Sequence, residues 1–441
     1  MNTRINIKRS FWVATLLTLL LIAGCGKKVE EAASVDETPV TAEPTKEETI
    51  TPEEEPIEIE AEEESAKPEE EVEVAITPQE EVADDNPRGR GGSQIDYFID
   101  SMTLEEKVAQ MFIVLPEALV GTGTVTSAGE ATKNAIDARP VGGLIYMEAN
   151  LQNSEQVSEM LSALQSFSMA RVSLPMFTTI DEEGGTVTRI SGRSGFDVPH
   201  IGNMSEVGQT GDVKKAREVG EQMGTYLAEM GFNVNFAPDA DVLSNSDNQV
   251  VRKRSFGDNP EMVANMSLAV LEGMQSRGVR GTFKHFPGHG ATAGDTHDGY
   301  AYTNKSLEEL QACEMIPFEA GIAKDVPFIM MGHISVPTVI GDNTPASLSQ
   351  TMITEVLRKQ MGYDGIVITD AMNMGAIVQS YSSGEAAIKT IKAGTDIVLM
   401  PADFNSAYQG VLQAVKDGEI SPERIDESVR RILKVKLEMM N

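Results

Sequence analysis

From about Gln94 onward, the chain alternates apolar, β-rich runs with amphipathic helical stretches, and this alternation limits the possible folds more than any other feature. The eight apolar runs are 111–116, 142–147, 176–181, 232–238, 281–286, 328–334, 365–370 and 396–401. The helical patterns between and after them include 154–170, 213–230, 259–276, 307–323, 349–361, 404–416 and 422–439. Continuous apolar strands that alternate with helices are typical of a parallel sheet covered by helices. Eight repeats over roughly 350 residues therefore predict an α/β fold, a (β/α)8 TIM barrel, with a doubly wound sheet as the competing arrangement.

Six polar residues lie at or just beyond the carboxyl ends of these predicted strands. They are Asp181, Asp239, Lys284, His285, His333 and Asp370. The active sites of (β/α)8 barrels are assembled at the carboxyl ends of the strands. Since charges scattered over a solvated surface would show no preference for one end of a strand, this placement predicts a functional site there.

The densest group of polar residues is the run Lys284-His285-Phe286-Pro287-Gly288-His289-Gly290, followed by Asp295-Thr296-His297. The Pro-Gly pair breaks any helix, so His285 and His289 cannot share a helical face as the two histidines of a zinc protease do. We therefore predict no metal and no other cofactor. Asp295 can orient the imidazole of His297, which titrates at about 6.5 when unperturbed, and such a pair is suited to proton transfer.

These motifs resemble the signature of family 3 glycoside hydrolases, specifically of the single-domain β-N-acetylhexosaminidase branch. In that branch a Lys-His-Phe-Pro-Gly-His-Gly run precedes an Asp-Ser/Thr-His dyad. The resemblance extends from about Ile95 to Met440, and its three other motifs are at 181–189, 254–257 and 368–375. Two positions depart from the family pattern. Ala301 stands where a proline is frequent, which we expect to change the stiffness of the loop. Ala371 stands where many relatives have a second acid, so Asp370 is the only carboxylate of its segment.

The resemblance implies a role for each of these residues. Asp370 would be the nucleophile of a retaining mechanism, His297 the acid/base, and Asp295 the residue that orients His297. The implied sugar-binding residues are Asp181, Arg189, Arg254, Lys284 and His285, with His333 as a further candidate. For Glu182, Glu183 and Asp239 we expect structural roles, in which they pair with Arg189 or cap loops.

The resemblance also implies an activity, that of an exo-acting, retaining β-N-acetylhexosaminidase. Such an enzyme would release terminal β-linked GlcNAc from muropeptides or chito-oligosaccharides through a covalent glycosyl–Asp370 intermediate. The absence of a sandwich-domain pattern after 422–439 leads us to expect the single-domain branch instead of a two-domain β-glucosidase.

Two kinds of alternative stay open at this point. A β-N-acetylglucosaminide phosphorylase, or another family 3 β-glycosidase, is compatible with the motifs, because a histidine acid/base does not repel phosphate as a carboxylate does. The alternative of a different class is a catalytically inactive glycan-binding lipoprotein at the cell surface.

The amino terminus has the pattern of a bacterial lipoprotein signal. A basic region precedes a short apolar region at 11–22, and Leu21-Ile22-Ala23-Gly24-Cys25 resembles a lipobox. We therefore expect residues 1–24 to be a signal peptide, and a lipid on Cys25 to anchor the exported protein to a membrane of the cell envelope. Cys313, the only other cysteine, is then expected to be a buried apolar residue with no disulfide.

Residues 25–92 are predicted to be a disordered acidic tether, and residues 93–441 the barrel. The segment 29–86 has 23 acidic residues against Lys46 and Lys67, so it cannot bury a core. Of the formal charge of −32, the segment up to Lys28 contributes +5 and the tether −21, which leaves −16 for 87–441. An acidic domain argues against binding to nucleic acid or to anionic lipid. We expect a monomer whose partners are a carbohydrate substrate and, through the lipid alone, the membrane.

Overall fold

The computed structural model describes residues 93–294, 299 and 301–440. The predicted signal peptide and acidic tether lie outside these residues, as do Asp295 and His297. The described part of the chain has an α/β fold with parallel strands, which confirms the α/β part of the prediction.

Ten β-strands are present among the described residues. They are β1 (Phe112–Val114), β2 (Gly143–Ile145), β3 (Phe177–Ile180), β4 (Val234–Asn235), β5 (Thr282–Phe286), β6 (Ala301–Tyr302), β7 (Phe328–Met331), β8 (Ile334–Ser335), β9 (Ile366–Thr369) and β10 (Val398–Leu399). All except β6 and β8 lie within the eight predicted apolar runs. Every residue of these eight strands is buried. Burial on both faces explains why their sequences are continuously apolar instead of alternating.

The strands pair in parallel throughout. One sheet has the order β10-β1-β2-β3-β4, a second has the order β5-β7-β9, and β6 pairs with β8. In the register of β7 with β9, Ile329 is opposite Val367. Isolated parallel bridges join β4 to β5 and β9 to β10, and they are Val234–Arg280, Asp239–Lys284 and Ile368–Ile397. Because the pairings are parallel, the carboxyl ends of β3, β5 and β9 point in the same direction.

Helices follow most of the strands in the described part of the chain. The α-helices are α1 (Gln94–Ser101), α2 (Leu104–Gln110), α3 (Pro116–Val120), α4 (Glu130–Ala138), α5 (Ser154–Val172), α6 (Met204–Gln209), α7 (Val213–Met230), α8 (Pro260–Gln275), α9 (Leu307–Gln311), α10 (Ile316–Ile322), α11 (Pro337–Ile340), α12 (Gly375–Val378), α13 (Ser383–Ala393), α14 (Phe404–Lys416) and α15 (Pro422–Glu438). Short 3-10 helices span Glu148–Asn150, His289–Ala291 and Ala346–Leu348. No helix of the described residues is both long enough and apolar enough to cross a membrane.

Two helices, α7 and α14, have the bounds that the sequence predicts, because their ends are set by local caps. The side chain of Asp212 accepts the Lys214 N–H at the start of α7, and Gly231, with a φ of 94°, ends it. α14 likewise has its predicted bounds and begins after Asp403, whose side chain accepts the Ser406 N–H.

Two predicted helical stretches differ from the structure. The pattern at 307–323 is divided into α9 and α10, since Pro317 has no N–H to continue a helix and lies instead in the first turn of α10. The pattern at 349–361 forms a π-helix, Thr351–Gln360. Both differences concern helices and leave the strands in place.

The core consists of apolar side chains between the strands and the helices. Phe177 of β3 packs edge-on against Phe328 of β7, with 5.5 Å between ring centroids. Phe283 and Phe286 of β5 pack against Phe318 of α10 in the same way. Contacts of this kind fix the strands rigidly, and the strands in turn fix the residues that follow their carboxyl ends.

Candidate active site

A cavity of about 320 Å³ lies where β3, β5 and β9 end. Asp181 directly follows β3, Lys284 and His285 belong to β5, and Asp370 directly follows β9. The cavity is lined by six residues proposed from the sequence: Asp181, Arg189, Arg254, Lys284, His285 and Asp370. The structure thus brings four of the six strand-end residues, Asp181, Lys284, His285 and Asp370, to one cavity, and Asp239 and His333 are not among its lining residues.

Glu183 lies at the centre of the charges in this cavity. Its carboxylate accepts two hydrogen bonds from Arg254, at 2.7 Å from Nε and 2.8 Å from Nη2. Lys284 Nζ is 2.6 Å from Glu183 Oε1. Burial raises the pKa of Glu183, but Arg254 and Lys284 outweigh burial and hold the pKa well below its ordinary value. We expected a structural acid that pairs with Arg189 or caps a loop. Glu183 does position cations, but they are Arg254 and Lys284, and its side chain also lines the cavity.

Asp181 is connected to the same cations. Its Oδ1 accepts a hydrogen bond of 3.0 Å from Lys284 Nζ, and its Oδ2 is 3.7 Å from Arg189 Nη2. Burial lowers the pKa of Lys284, yet Glu183 and Asp181 raise it above its ordinary value, so the ammonium stays charged. The partly exposed Asp181 carboxylate can accept hydrogen bonds from hydroxyl groups of a ligand while Lys284 fixes its position.

His285 is held in a defined tautomer by two neighbours. Its Nδ1 is 2.8 Å from Asp241 Oδ2, and its Nε2 is 3.3 Å from Arg254 Nη2. Because the carboxylate accepts and the guanidinium donates, Nδ1 carries the proton and Nε2 accepts. Burial and the nearby Arg254 lower the pKa of His285 to about 4. The ring is therefore neutral at neutral pH.

Asp239 and Asp241 form a buried pair of carboxyl groups beside Arg254. Burial and the proximity of Asp241 raise the pKa of Asp239. The possible ligand atoms of Asp239, Asp241 and His285 lie within 4.8 Å of one another, as the ligands of a cation would. Arg254 already supplies positive charge there, since its Nε is 3.2 Å from Asp239 Oδ2. A divalent cation would be repelled by this guanidinium, so we assign no step to a metal.

Asp370 has the properties that a carboxylate nucleophile requires. Burial raises its pKa, but His285, His333, the Ala371 N–H and Lys284 together lower the pKa to about 2. At neutral pH, where His285 is uncharged, the 2.8 Å hydrogen bond from Ala371 and the charge of Lys284 remain. The side chain lines the cavity and is ionised throughout the physiological pH range.

His333 is not among the residues that line this cavity. It is buried, with Nε2 3.0 Å from the Ala371 carbonyl oxygen and Nδ1 2.7 Å from Ser347 Oγ. Since a carbonyl oxygen only accepts, Nε2 donates to Ala371 and Nδ1 accepts from Ser347. Through this hydrogen bond to Ala371, His333 holds the backbone that follows Asp370.

Glu182 has the structural role that we expected for it. The buried carboxylate accepts hydrogen bonds from the backbone N–H groups of Arg189, Ile190 and Ser191, at 2.6 to 3.0 Å. It also accepts from the hydroxyl of Tyr226, at 2.9 Å. Glu182 thereby fixes the loop that carries Arg189 into the cavity, and the pairing is with the Arg189 backbone instead of its guanidinium.

The segment with Asp295 and His297 lies outside the described residues, and the acid/base assignment stays a prediction. The chain on either side of it is well defined. His289 N–H donates to Asp241 Oδ1 at 2.6 Å, just after β5. Ala293 and Tyr302 then exchange two backbone hydrogen bonds, of 3.0 and 3.1 Å. The described chain is therefore paired at Ala293, before this segment, and at Tyr302, after it.

Sequence reasoning missed several residues of the site. Glu183 and Asp241 bind the predicted cations and His285, and the cavity lining also includes Met147, Val187, Val250, His289, Ala371, Asn373, Met374 and Met400. The spacing of Asp239 and Asp241 could have indicated the second acid, since alternate residues after a strand lie on the same side of the chain. The apolar residues carried no such signal.

With this geometry, the chain belongs to glycoside hydrolase family 3. The sequence pattern described as "Glycosyl hydrolase family 3 N terminal domain" matches residues 103–435. Every residue that lines the cavity falls within this match.

Two curated relatives and one solved structure carry related names. "Beta-hexosaminidase A" of Pseudoalteromonas piscicida is 35% identical over 326 residues, which are 68% of this chain and 54% of the relative. "Beta-hexosaminidase LpqI" of Mycobacterium tuberculosis is 33% identical over 271 residues, 60% of this chain and 68% of the relative. The structure of a family 3 beta-N-acetylglucosaminidase from Paenibacillus is 36% identical, with a TM-score of 0.72. That similarity covers 77% of this chain and 63% of the Paenibacillus chain.

Proposed function

We propose that β1–β5, β7, β9 and β10 close into a (β/α)8 barrel. The sheet pairings and the parallel bridges give each of these eight strands a parallel neighbour on both sides. A doubly wound sheet would instead have two edge strands without an outer neighbour. The position of the cavity at the carboxyl ends supports the same architecture, since barrel enzymes have their active sites there.

The barrel carries a retaining exo-β-N-acetylhexosaminidase, which releases terminal β-linked GlcNAc. The observation that carries this function is the Asp370 carboxylate, which lines the polar cavity with its pKa held at about 2. A retaining glycosidase needs an ionised carboxylate to attack the anomeric carbon and form a glycosyl–enzyme intermediate. The names of the relatives support GlcNAc as the sugar.

The remaining polar residues bind the sugar. Asp181 accepts from its hydroxyls, and Arg254, Lys284 and Arg189 donate to its oxygens. Glu183 balances two of these cations, so the cations are fixed before substrate binds and no reorganisation is needed at the reaction. His285 presents a neutral ring whose Nε2 accepts from Arg254.

Asp295 and His297 supply the acid/base. In the first step the imidazolium protonates the leaving oxygen while Asp370 Oδ attacks the anomeric carbon. In the second step the neutral imidazole takes a proton from water, which attacks the same carbon and releases Asp370. Muropeptides and chito-oligosaccharides are the substrates that we propose, since both end in β-linked GlcNAc.

A substrate panel tests the function. Wild-type protein is expected to hydrolyse aryl β-N-acetylglucosaminides much faster than the matching β-glucosides, with β-GlcNAc as the first product in an NMR time course. Asp370→Asn should lower kcat by roughly 10³-fold or more. Asp364→Asn is the matched control, because the side chain of Asp364 is 80% exposed and pairs only with Arg431 among the described residues. Equal activity of the two variants, or an α-configured first product, would overturn the assignment.

Phosphorolysis is separated from hydrolysis by the same assay. With inorganic phosphate present, a hydrolase releases free GlcNAc, whereas a phosphorylase accumulates GlcNAc-1-phosphate. We expect free GlcNAc at every phosphate concentration. An inactive glycan-binding protein would leave all substrates unchanged.

We further propose that the protein is exported and anchored through a lipid on Cys25, with residues 25–92 as a disordered tether. The support is the lipobox pattern and the acidic composition of the sequence. In a bacterial host, Cys25→Ala should move the protein from the membrane fraction to the soluble fraction. Retention of this variant in the membrane fraction would contradict the lipid anchor.

A further inference from the structure

His289 is a buried residue of the cavity that the roles above leave unused. It lies in the 3-10 turn after β5, its side chain is 2% exposed, and its ring packs edge-on against His285. It lines the same cavity as Asp181 and Asp370.

The backbone and one side of the ring are firmly bound. The His289 N–H donates to Asp241 Oδ1, and its carbonyl oxygen accepts from Asn248 Nδ2 at 2.8 Å. Ring atom Nδ1 is 3.0 Å from Thr292 Oγ1. The orientation of Asn248 is also fixed, because its Oδ1 accepts the Val250 N–H. The ring therefore has little freedom to turn.

The other ring nitrogen has no partner. Nε2 is buried and makes no hydrogen bond to any of the described residues. Buried polar atoms of native proteins are almost always paired, so an exception in the wall of a polar cavity indicates a partner that arrives with the ligand. Burial and the charges of His285 and Arg254 lower the pKa of His289 to about 4, so the ring is neutral near pH 7. A neutral imidazole suits an uncharged hydroxyl, which can both donate and accept.

We propose that His289 is a further sugar-binding residue, whose Nε2 forms a hydrogen bond with a hydroxyl of the saccharide in the cavity. This inference rests on the proposed function, because it takes a sugar as the ligand. It assigns to His289 a contact, in addition to the structural bonds made by Nδ1 and the backbone. Since a buried donor or acceptor is satisfied only when the sugar is present, His289 would also select sugars that have the matching hydroxyl.

Two amide substitutions separate the two sides of the ring. His289→Asn places its amide near the position of Nδ1 and leaves nothing near Nε2. His289→Gln places its amide near the position of Nε2 and leaves Nδ1 unreplaced. We expect His289→Asn to lower kcat/KM roughly 3- to 10-fold, the effect of one lost neutral hydrogen bond, and His289→Gln to recover most of the loss. If His289→Gln had the lower kcat/KM of the two variants, His289 would act structurally through Thr292, and the proposal would be overturned.

Deoxy substrates test the contact directly, because a purely structural role of His289 would not depend on which hydroxyl the sugar lacks. Aryl β-N-acetylglucosaminides lacking the 3-, 4- or 6-hydroxyl are compared on wild type and on His289→Asn, with thermal unfolding to confirm that both variants fold. Removal of the hydroxyl that binds Nε2 should lower the kcat/KM of the wild type and have little further effect on the kcat/KM of His289→Asn. If each missing hydroxyl lowered kcat/KM by the same factor in the wild type and in His289→Asn, for all three deoxy substrates, the proposed contact would be overturned. If the wild type cleaves none of the aryl glycosides, the proposed function fails. Calorimetric titration with GlcNAc then tests the contact of His289 by itself. Equal affinity of the wild type and His289→Asn for GlcNAc would overturn that contact.

Discussion

Glu183 Oε1 lies 2.6 Å from Lys284 Nζ, and both side chains are almost fully buried, at 1% and 3% exposure. The same carboxylate binds Arg254 at two positions, so one anion holds two cations at the edge of the cavity. A buried charge that loses its partner is strongly disfavoured, which makes Glu183 a positioning residue of the site.

Glu183→Gln is therefore expected to reduce the activity of the folded protein. The neutral amide removes the negative charge that Arg254 and Lys284 share, and the two cations keep only Asp239 and Asp181 as their respective acidic partners. We expect kcat/KM on an aryl β-N-acetylglucosaminide to fall by roughly 10²-fold.

Glu182→Gln is the matched control, because it changes the neighbouring buried acid in the same way. Its amide NH2 would face backbone N–H groups that now donate to an oxygen, and we expect a loss of about 2–3 kcal/mol in the free energy of unfolding. Denaturant titration measures this loss. Similar kinetic losses in the two variants, each corrected for folded protein, would contradict a special role of Glu183.

The pH dependence of the rate tests His297. Asp370, with a pKa of about 2, is ionised above roughly pH 3, so a limb near neutrality cannot come from the nucleophile. We expect a bell-shaped profile of kcat/KM with at least one limb near neutrality. His297→Ala should slow disaccharides by about 10²- to 10⁴-fold and aryl glycosides with good leaving groups much less. Equal losses on both substrates would remove His297 from the acid role.

Lys436 predicts a specific pH dependence of stability. It is fully buried in α15, where its Nζ donates to Gln110 Oε1 at 2.8 Å and lies 4.9 Å from the centre of the Phe177 ring. No carboxylate of the described residues pairs with it, and burial lowers its pKa to about 7.

The unfolded chain, in which a lysine titrates near 10.4, then binds more protons than the folded chain between about pH 7 and 10. The free energy of unfolding should therefore rise with pH over this range because of Lys436, by up to about 1.4 kcal/mol per pH unit. Lys436→Met should remove this rise, whereas Lys434→Met, a change at an exposed position of the same helix, should keep it. Denaturant titrations at pH 7.5 and 9.5 measure the difference, and parallel behaviour of wild type and Lys436→Met would refute it.

The acidic tether is expected to be a spacer without a catalytic role. The 58 residues of 29–86 should span roughly 40 Å as a flexible chain, and more at low salt because of charge repulsion. A truncated chain that begins near Gly91 should be monodisperse and as active per molecule as the full mature form. A large fall of its kcat/KM on small soluble substrates would show that the tether belongs to the enzyme.

The sequence predicted the strands because their signal is local. Each of the eight apolar runs contains a strand of the parallel sheets, and the bounds of α7 and α14 follow from their capping residues. Local signals were also misread where two of them compete, as at 307–323, where apolar periodicity continues across Pro317 but the helix does not.

The sequence also indicated which single residues are candidates for the site. Asp181, Lys284, His285 and Asp370 were recognised by their place at strand ends and by motif, and the structure brings them together around one cavity. The Asp295–His297 pair stays a prediction from the family motif and from its spacing of two residues.

The pairings inside the site were decided by the tertiary structure alone. Glu183 and Arg254 are 71 positions apart in the chain, and Asp241 and His285 are 44 apart. No local pattern indicates which buried acid meets which base, because the choice depends on the strand order and register that bring distant segments within hydrogen-bonding distance. Periodicity and helix caps depend on residues a few positions apart and can therefore be recognised in the sequence. The neutral state of His285 and the ionised state of Asp370, in contrast, depend on burial and on neighbours that only the folded chain brings together.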